Sequence, residues 1–154
     1  SPALPYALFD TAVSGASEKD QYNGKIVFDG VIESAKTALA NGIPVGLGND
    51  VGCPYITHYD MWRELCYFVK YCGVTPAFAL HSATLLNAEL AGIGDVTGSV
   101  EAGKAADLIV CPADPLADLT ALRRLSMVIR DGWRLENPSV KKMPEVEREL
   151  DKFL

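Results

Sequence analysis

The chain has 154 residues, 49% hydrophobic and 22% charged, and its 20 acidic residues outnumber its 14 basic ones to leave a net charge of −6. That length suffices for one domain with a real core, and the composition is that of an ordinary globular protein. An acidic chain without a basic stretch has no electrostatic footprint for nucleic acid or an anionic membrane, and no apolar run reaches the roughly 20 residues of a membrane span. The opening Ser1-Pro2-Ala3-Leu4-Pro5 lacks the basic and apolar regions of a signal peptide. Cys53, Cys66, Cys72 and Cys111 form no CxxC pair, and their scatter suits reduced thiols in a cytoplasmic protein. Cys66 and Cys111 lie in apolar contexts and read as small core hydrophobes.

In chain order, residues 1–23 read mostly as loop, with Leu4 to Phe9 as the tail of a strand. From Lys25 to Ala40 the apolar positions Ile26, Val27, Val31, Ile32, Ala35 and Leu39 recur at helical spacing, and Asn41-Gly42 stops the helix. Ile43 to Gly48 follows as a short apolar strand without alternation, which suits a strand buried on both faces. Thr57 and Asp60 resemble a capping box, which predicts a helix from about His58 to Tyr71, ended by Gly73. Thr75-Pro76 opens another helix, which runs to about Leu90.

The character changes near Gly94. Val96 to Val100 and Ala106 to Cys111 read as strands joined by a turn at Glu101-Ala102-Gly103-Lys104. Leu119 to Arg123 reads as a helical turn, and Asp131-Gly132 as a hairpin turn between Leu125–Arg130 and Trp133–Leu135. Residues 144–154 look like a charged terminal helix whose charges form a solvated face. The chain thus divides into a βα segment over residues 1–94, a small β unit over 95–137 and a tail over 138–154. The first part has too few strands to bury a sheet by itself. Its unpaired strand edge and apolar helix faces predict a homo-oligomer.

Two residues stand out for chemistry. Asp50 ends the apolar strand in the context Gly46-Leu47-Gly48-Asn49-Asp50-Val51-Gly52, and catalytic side chains of α/β barrels project from such strand ends. A loop-capping aspartate fits the same spacing, and the spacing does not separate the two. His58 follows eight residues later and can face the same way, or it can be a solvent-facing histidine in a first helical turn. His81, mid-helix, has no partner in the sequence. Asp60, Arg63 and Glu64 fall at helical spacing and read as surface ion pairs, worth about 0–1 kcal/mol each. There is no phosphate loop, dinucleotide fingerprint, GxSxG, HxH or HExxH. With only two histidines, the chain cannot assemble the three protein ligands of an ordinary catalytic zinc site.

The segment 46–52 resembles the last barrel strand of the amidohydrolase superfamily. Ala83-Thr84, Asn87-Ala88 and Leu90-Ala91-Gly92 are similar to its next helix. Gly98-Ser99-Val100-Glu101-Ala102-Gly103-Lys104-Ala105-Ala106-Asp107-Leu108 is similar to the family's return into its small β domain. Pro115-Leu116 and Val128-Ile129-Arg130-Asp131-Gly132 continue the likeness, which spans about residues 24–136. His58-Tyr59-Asp60-Met61-Trp62-Arg63-Glu64-Leu65 looks most like the imidazolonepropionase-related group, which includes dipeptidases acting on Xaa-Pro and related amides.

The resemblance implies an α/β fold: the C-terminal part of a (β/α)8 barrel plus part of a β-sandwich. It implies a parent enzyme in which a divalent metal, usually zinc, activates water to hydrolyse a C–N bond of a small amide or dipeptide. Asp50 would touch that metal and carry the proton to the leaving nitrogen, and His58 would contact substrate. The metal histidines belong upstream in that family, so this chain alone is expected to be inactive and to bind no metal. Asn49 departs from the Thr or Ser common before the aspartate. Two other readings remain: a non-catalytic structural or binding unit, and a subunit whose partner chain supplies the metal ligands.

Overall fold

A computed structural model describes residues 8–52 and 55–154. The strand tail expected over Leu4 to Phe9 lies largely outside them. Helix formation starts earlier than the apolar periodicity alone suggests. Asp10 caps a short helix α1 (Thr11–Ser14), its carboxylate accepting from the Ala12 N–H. Ser17 and Asp20 then form a reciprocal capping box that opens α2 (Glu18–Ala40). The loop reading of residues 18–23 is therefore corrected. A satisfied cap supports helix through a polar stretch that carries no periodic signal.

Residues 43–50 run extended but join no sheet ladder among the described residues. Among the described residues, a side chain and not a neighbouring strand engages the backbone of this expected strand. The Leu47 N–H donates to Asn87 Oδ1 (3.0 Å), and Asn87 Nδ2 donates to the Leu47 carbonyl (2.7 Å). This close approach requires Gly46, where an added Cβ would lie 2.4 Å from Asn87 Oδ1.

Helix α3 (Met61–Cys72) begins three residues later than the sequence predicts, with Asp60 at its N-cap. The Thr57 hydroxyl donates to the Asp60 carboxylate, which therefore faces back along the chain instead of capping the helix backbone. Gly73, at φ +74°, closes α3 as expected. Thr75 caps α4 (Pro76–His81), which continues through a π-helical stretch (Ser82–Leu86) into α5 (Asn87–Leu90). The π stretch was not legible in the sequence. An inserted residue rotates everything after it by about 100°, and Asn87, which bonds Leu47, lies immediately downstream.

The sheet is a three-stranded antiparallel meander of β1 (Leu108–Val110), β2 (Met127–Arg130) and β3 (Trp133–Glu136). Its hairpin turn is the expected Asp131-Gly132, both at positive φ (49° and 81°), as a type I′ turn demands. The strand expected over Val96–Val100 does not form. Lys104 Nζ donates to Ser99 Oγ, which donates to Glu101, so local side-chain bonds fold this stretch into a turn. A 3-10 turn (Leu119–Arg123) stands where the sequence places it, packed on α3.

α3 lies between two apolar clusters. Tyr67 joins Phe9, Phe28, Ile32, Val146 and Leu150 on one side. Trp62, Leu65 and Phe68 join Leu47, Ala79, Leu119 and Leu122 on the other, where Cys66 and Cys111 also pack. Helix α6 (Pro144–Asp151) contributes the fully buried Val146, so the tail belongs to the core. Its solvated-face reading is overturned, since Glu147 and Glu149 are buried as well. Among the described residues, no helix is long and apolar enough to cross a membrane.

Replacing Asn87 by Ala leaves the Leu47 N–H and carbonyl without partners, at an expected cost of about 1–3 kcal/mol. A urea unfolding midpoint that stays at the wild-type value would show that another group holds the 43–50 segment.

Candidate active-site loop

Asp50 sits at the end of the extended segment, exposed, with φ at +51°. Aspartate tolerates this left-handed conformation better than most residues, yet it remains uncommon outside glycine. Tyr55, a bulky residue in the same loop, also has positive φ (67°), a costlier state of order 1–3 kcal/mol. Its ring packs 5.7 Å from that of Phe9 and its hydroxyl donates to the Val13 carbonyl, which offsets the strain. Such strained residues concentrate at functional sites. Asn49 Nδ2 donates to the Thr57 carbonyl (3.2 Å), closing the base of the loop beside Asp50.

His58 is exposed and lines a groove of about 610 Å³ floored by Met61, Trp62 and Leu80, with Arg124 and Lys142 also on its wall. Asp50 does not line that groove. That groove therefore does not bring Asp50 and His58 together. His81, also exposed, packs 6.3 Å from the Phe78 ring.

Below the loop lies a buried ionic cluster that sequence reasoning placed on the surface. Arg63 is 2% exposed, and Asp60 and Glu64 are likewise buried. Arg63 Nε donates to Asp60 (3.2 Å), Nη2 to Glu147 (3.1 Å) and Nη1 to Asp151 (2.6 Å). Arg123 donates to the same Glu147 and Asp151, and Lys142 lies 3.9 Å from Glu147. Three carboxylates thus face three cations, which lets the charges be buried. The Trp62 ring lies against both guanidiniums, its centroid 4.4 Å from Arg63 Cζ and 5.3 Å from Arg123 Cζ. The surface expectation failed because two of the three partners of Arg63, Glu147 and Asp151, are more than 80 residues away in sequence.

The electrostatics of the cluster are mixed. Burial raises the Asp60 pKa, with the Thr57 hydroxyl and Arg63 opposing it only in part. Burial works against Asp151 as well, but its bond to Arg63 and the two guanidinium charges outweigh it and hold that carboxyl below its ordinary value. For Arg63, too, desolvation is overcome by Asp151, Asp60 and Glu147, which keep the guanidinium charged. Burial pushes the Cys66 thiol up to about 11, as befits a core thiol and not a nucleophile.

Among the described residues, no group of three or more His, Cys, Asp or Glu side chains could hold a metal ion. Among the described residues of the loop, Asp50 is not joined by enough further donors to make a metal site. A metal site does not fit this chain's own residues.

This arrangement, an aspartate ending an extended segment above a helix and followed by a small antiparallel sheet, has known counterparts. Residues 23–134 match the Amidohydrolase family. The chain belongs to that family. Its fold is similar to that of a Bifidobacterium longum protein provisionally named a prolidase, with a TM-score of 0.91 and 38% identity over 98% of this chain and 37% of that one. It is also similar to a Xaa-Pro dipeptidase solved with methionine in its active site, with a TM-score of 0.73 and 29% identity over 88% of this chain and 34% of that one. The imidazolonepropionase of Thermoplasma volcanium is 28% identical over 85 residues, covering 55% of this chain and 21% of that protein. The amidohydrolase chain therefore spans between about a fifth and a little over a third of the length of these relatives.

A carboxyl held below its ordinary pKa stabilises the fold above that ordinary value, and the contribution is lost as pH falls through the lowered one. Asp60, shifted upward, has the opposite sign: its contribution is complete below the ordinary value and is lost as pH rises. Asp151→Asn is therefore expected to lower the urea midpoint near neutral pH and to match wild type at about pH 2. A constant deficit across that range would show that Asp151 does not titrate with folding.

Proposed function

We propose that this chain is the carboxy-terminal lobe of a hydrolase that cleaves the C–N bond of a small amide, cyclic amide or dipeptide. In this reading residues 43–48 are the last strand of a (β/α)8 barrel, residues 95–137 are part of a β-sandwich and residues 138–154 are a tail. The observation that carries it is Asp50: an exposed carboxylate on a strained loop, at the end of an extended segment, in a chain of this family. No hydrogen bond or ion pair engages its side chain among the described residues, so its lone pairs are available to a proton.

The chemistry assigned to Asp50 follows from that availability. It takes a proton from the attacking water as the oxygen bonds to the carbonyl carbon. It then returns that proton to the nitrogen as the C–N bond breaks. The parent is read as using a divalent ion, with zinc as the family's usual choice, but one aspartate is a single ligand. The remaining ligands must come from outside this chain, and the lobe alone is read as inactive. His58 is assigned a substrate contact, and the parent is read as a cytoplasmic homo-oligomer.

The test is a chimaera in which this chain replaces the matching 37% of the Bifidobacterium longum protein, assayed against a panel of dipeptides. Asp50→Asn is expected to lower kcat by at least about 10²-fold, the lower end for losing a positioned general acid–base. An active chimaera indifferent to that substitution would remove Asp50 from the reaction.

A further inference from the structure

We propose that helix α6 is a positioning element for the loop that carries Asp50, acting through a side-chain relay from Asp151 and Glu147 to Arg63, Asp60, Thr57 and Asn49. Each link is a hydrogen bond. Asp151 and Glu147 accept from Arg63 (2.6 and 3.1 Å), and Arg63 donates from Nε to Asp60 Oδ1 (3.2 Å). The other oxygen of Asp60 accepts from the Thr57 hydroxyl, and the Thr57 carbonyl accepts from Asn49 Nδ2 (3.2 Å). Asn49 is the residue before Asp50. A second contact runs beside the relay: the Met143 N–H donates to the Tyr59 hydroxyl (3.2 Å), next to His58.

Two features argue for positioning beyond simple stability. Apolar residues of similar volume would hold α6 to α3 as well as buried charges do, or better, so burying charge here brings direction more than strength. The relay also reaches away from the core, toward the loop where the strained residues lie. Residues 135–154 fall outside the stretch matched to the family model. Thr57 and Arg63 are then positioning residues. The consequence for catalysis rests on the reading of Asp50 given above, but the relay itself is tested without any activity measurement.

The test uses amide NMR spectra of the complete 15N-labelled chain, comparing wild type with Asp151→Asn, Thr57→Val and Thr57→Ser. The relay predicts that Asp151→Asn, at the far end, and Thr57→Val, in the middle, both displace the Asn49 side-chain and Asp50 and Val51 backbone resonances. Thr57→Ser, which keeps the hydroxyl, returns them to their wild-type positions. The proposal is overturned if Asp151→Asn moves only resonances of α6 and α3. It is equally overturned if Thr57→Val leaves Asn49 to Val51 in place. Should Asp151→Asn fail to fold, the Thr57 pair decides alone, since that hydroxyl lies outside the doubly charged end of the cluster.

Discussion

A guanidinium taken out of water must be surrounded by anions, and Arg63, 2% exposed, imposes that requirement on three separate parts of the chain. Asp60 lies before α3, Glu147 and Asp151 belong to the terminal helix, and Arg123 arrives from the 3-10 turn to share the same two acids. Removing one partner of such a cluster leaves a buried charge uncompensated, at about 3–5 kcal/mol, a large part of the 5–15 kcal/mol that holds a typical domain together. The two apolar clusters meet across α3, and the ionic cluster fixes what lies against it. Tyr67 and Tyr71 extend the same seam, donating from their hydroxyls to the carbonyls of Leu150 and Phe153.

Much of the fold was legible where the signal is local. The Thr75-Pro76 cap, the Gly73 stop, the Leu119–Arg123 turn and the Asp131-Gly132 hairpin each follow from a few adjacent residues, and each stands where the sequence puts it. What was not legible depends on distant partners. Arg63 looks like a surface charge until α6 supplies Glu147 and Asp151. The segment 43–50 looks like a paired strand until Asn87, 40 residues away in sequence, takes both backbone groups of Leu47. The later start of α3 has a local origin: the Asp60 side chain is engaged by Thr57 and Arg63 instead of by the helix backbone.

The candidate site was legible in a different way. Asp50 was marked by its place after an apolar strand, and the left-handed backbone at Asp50 and Tyr55 adds a physical reason to regard the loop as functional. Thr57 reads only as part of a capping box and Asn49 only as a departure from the family pattern, so the sequence does not show that they close the loop. The chain covers 37% of the Bifidobacterium longum chain, so most of that protein has no counterpart among these residues.

The most direct check on this account is the metal content of the purified 154-residue chain, by elemental analysis after exhaustive dialysis against metal-free buffer. A lobe that contributes Asp50 alone retains close to no metal. One or more tightly held equivalents per chain would mean that the ligands are complete without the rest of the enzyme, and would contradict the account.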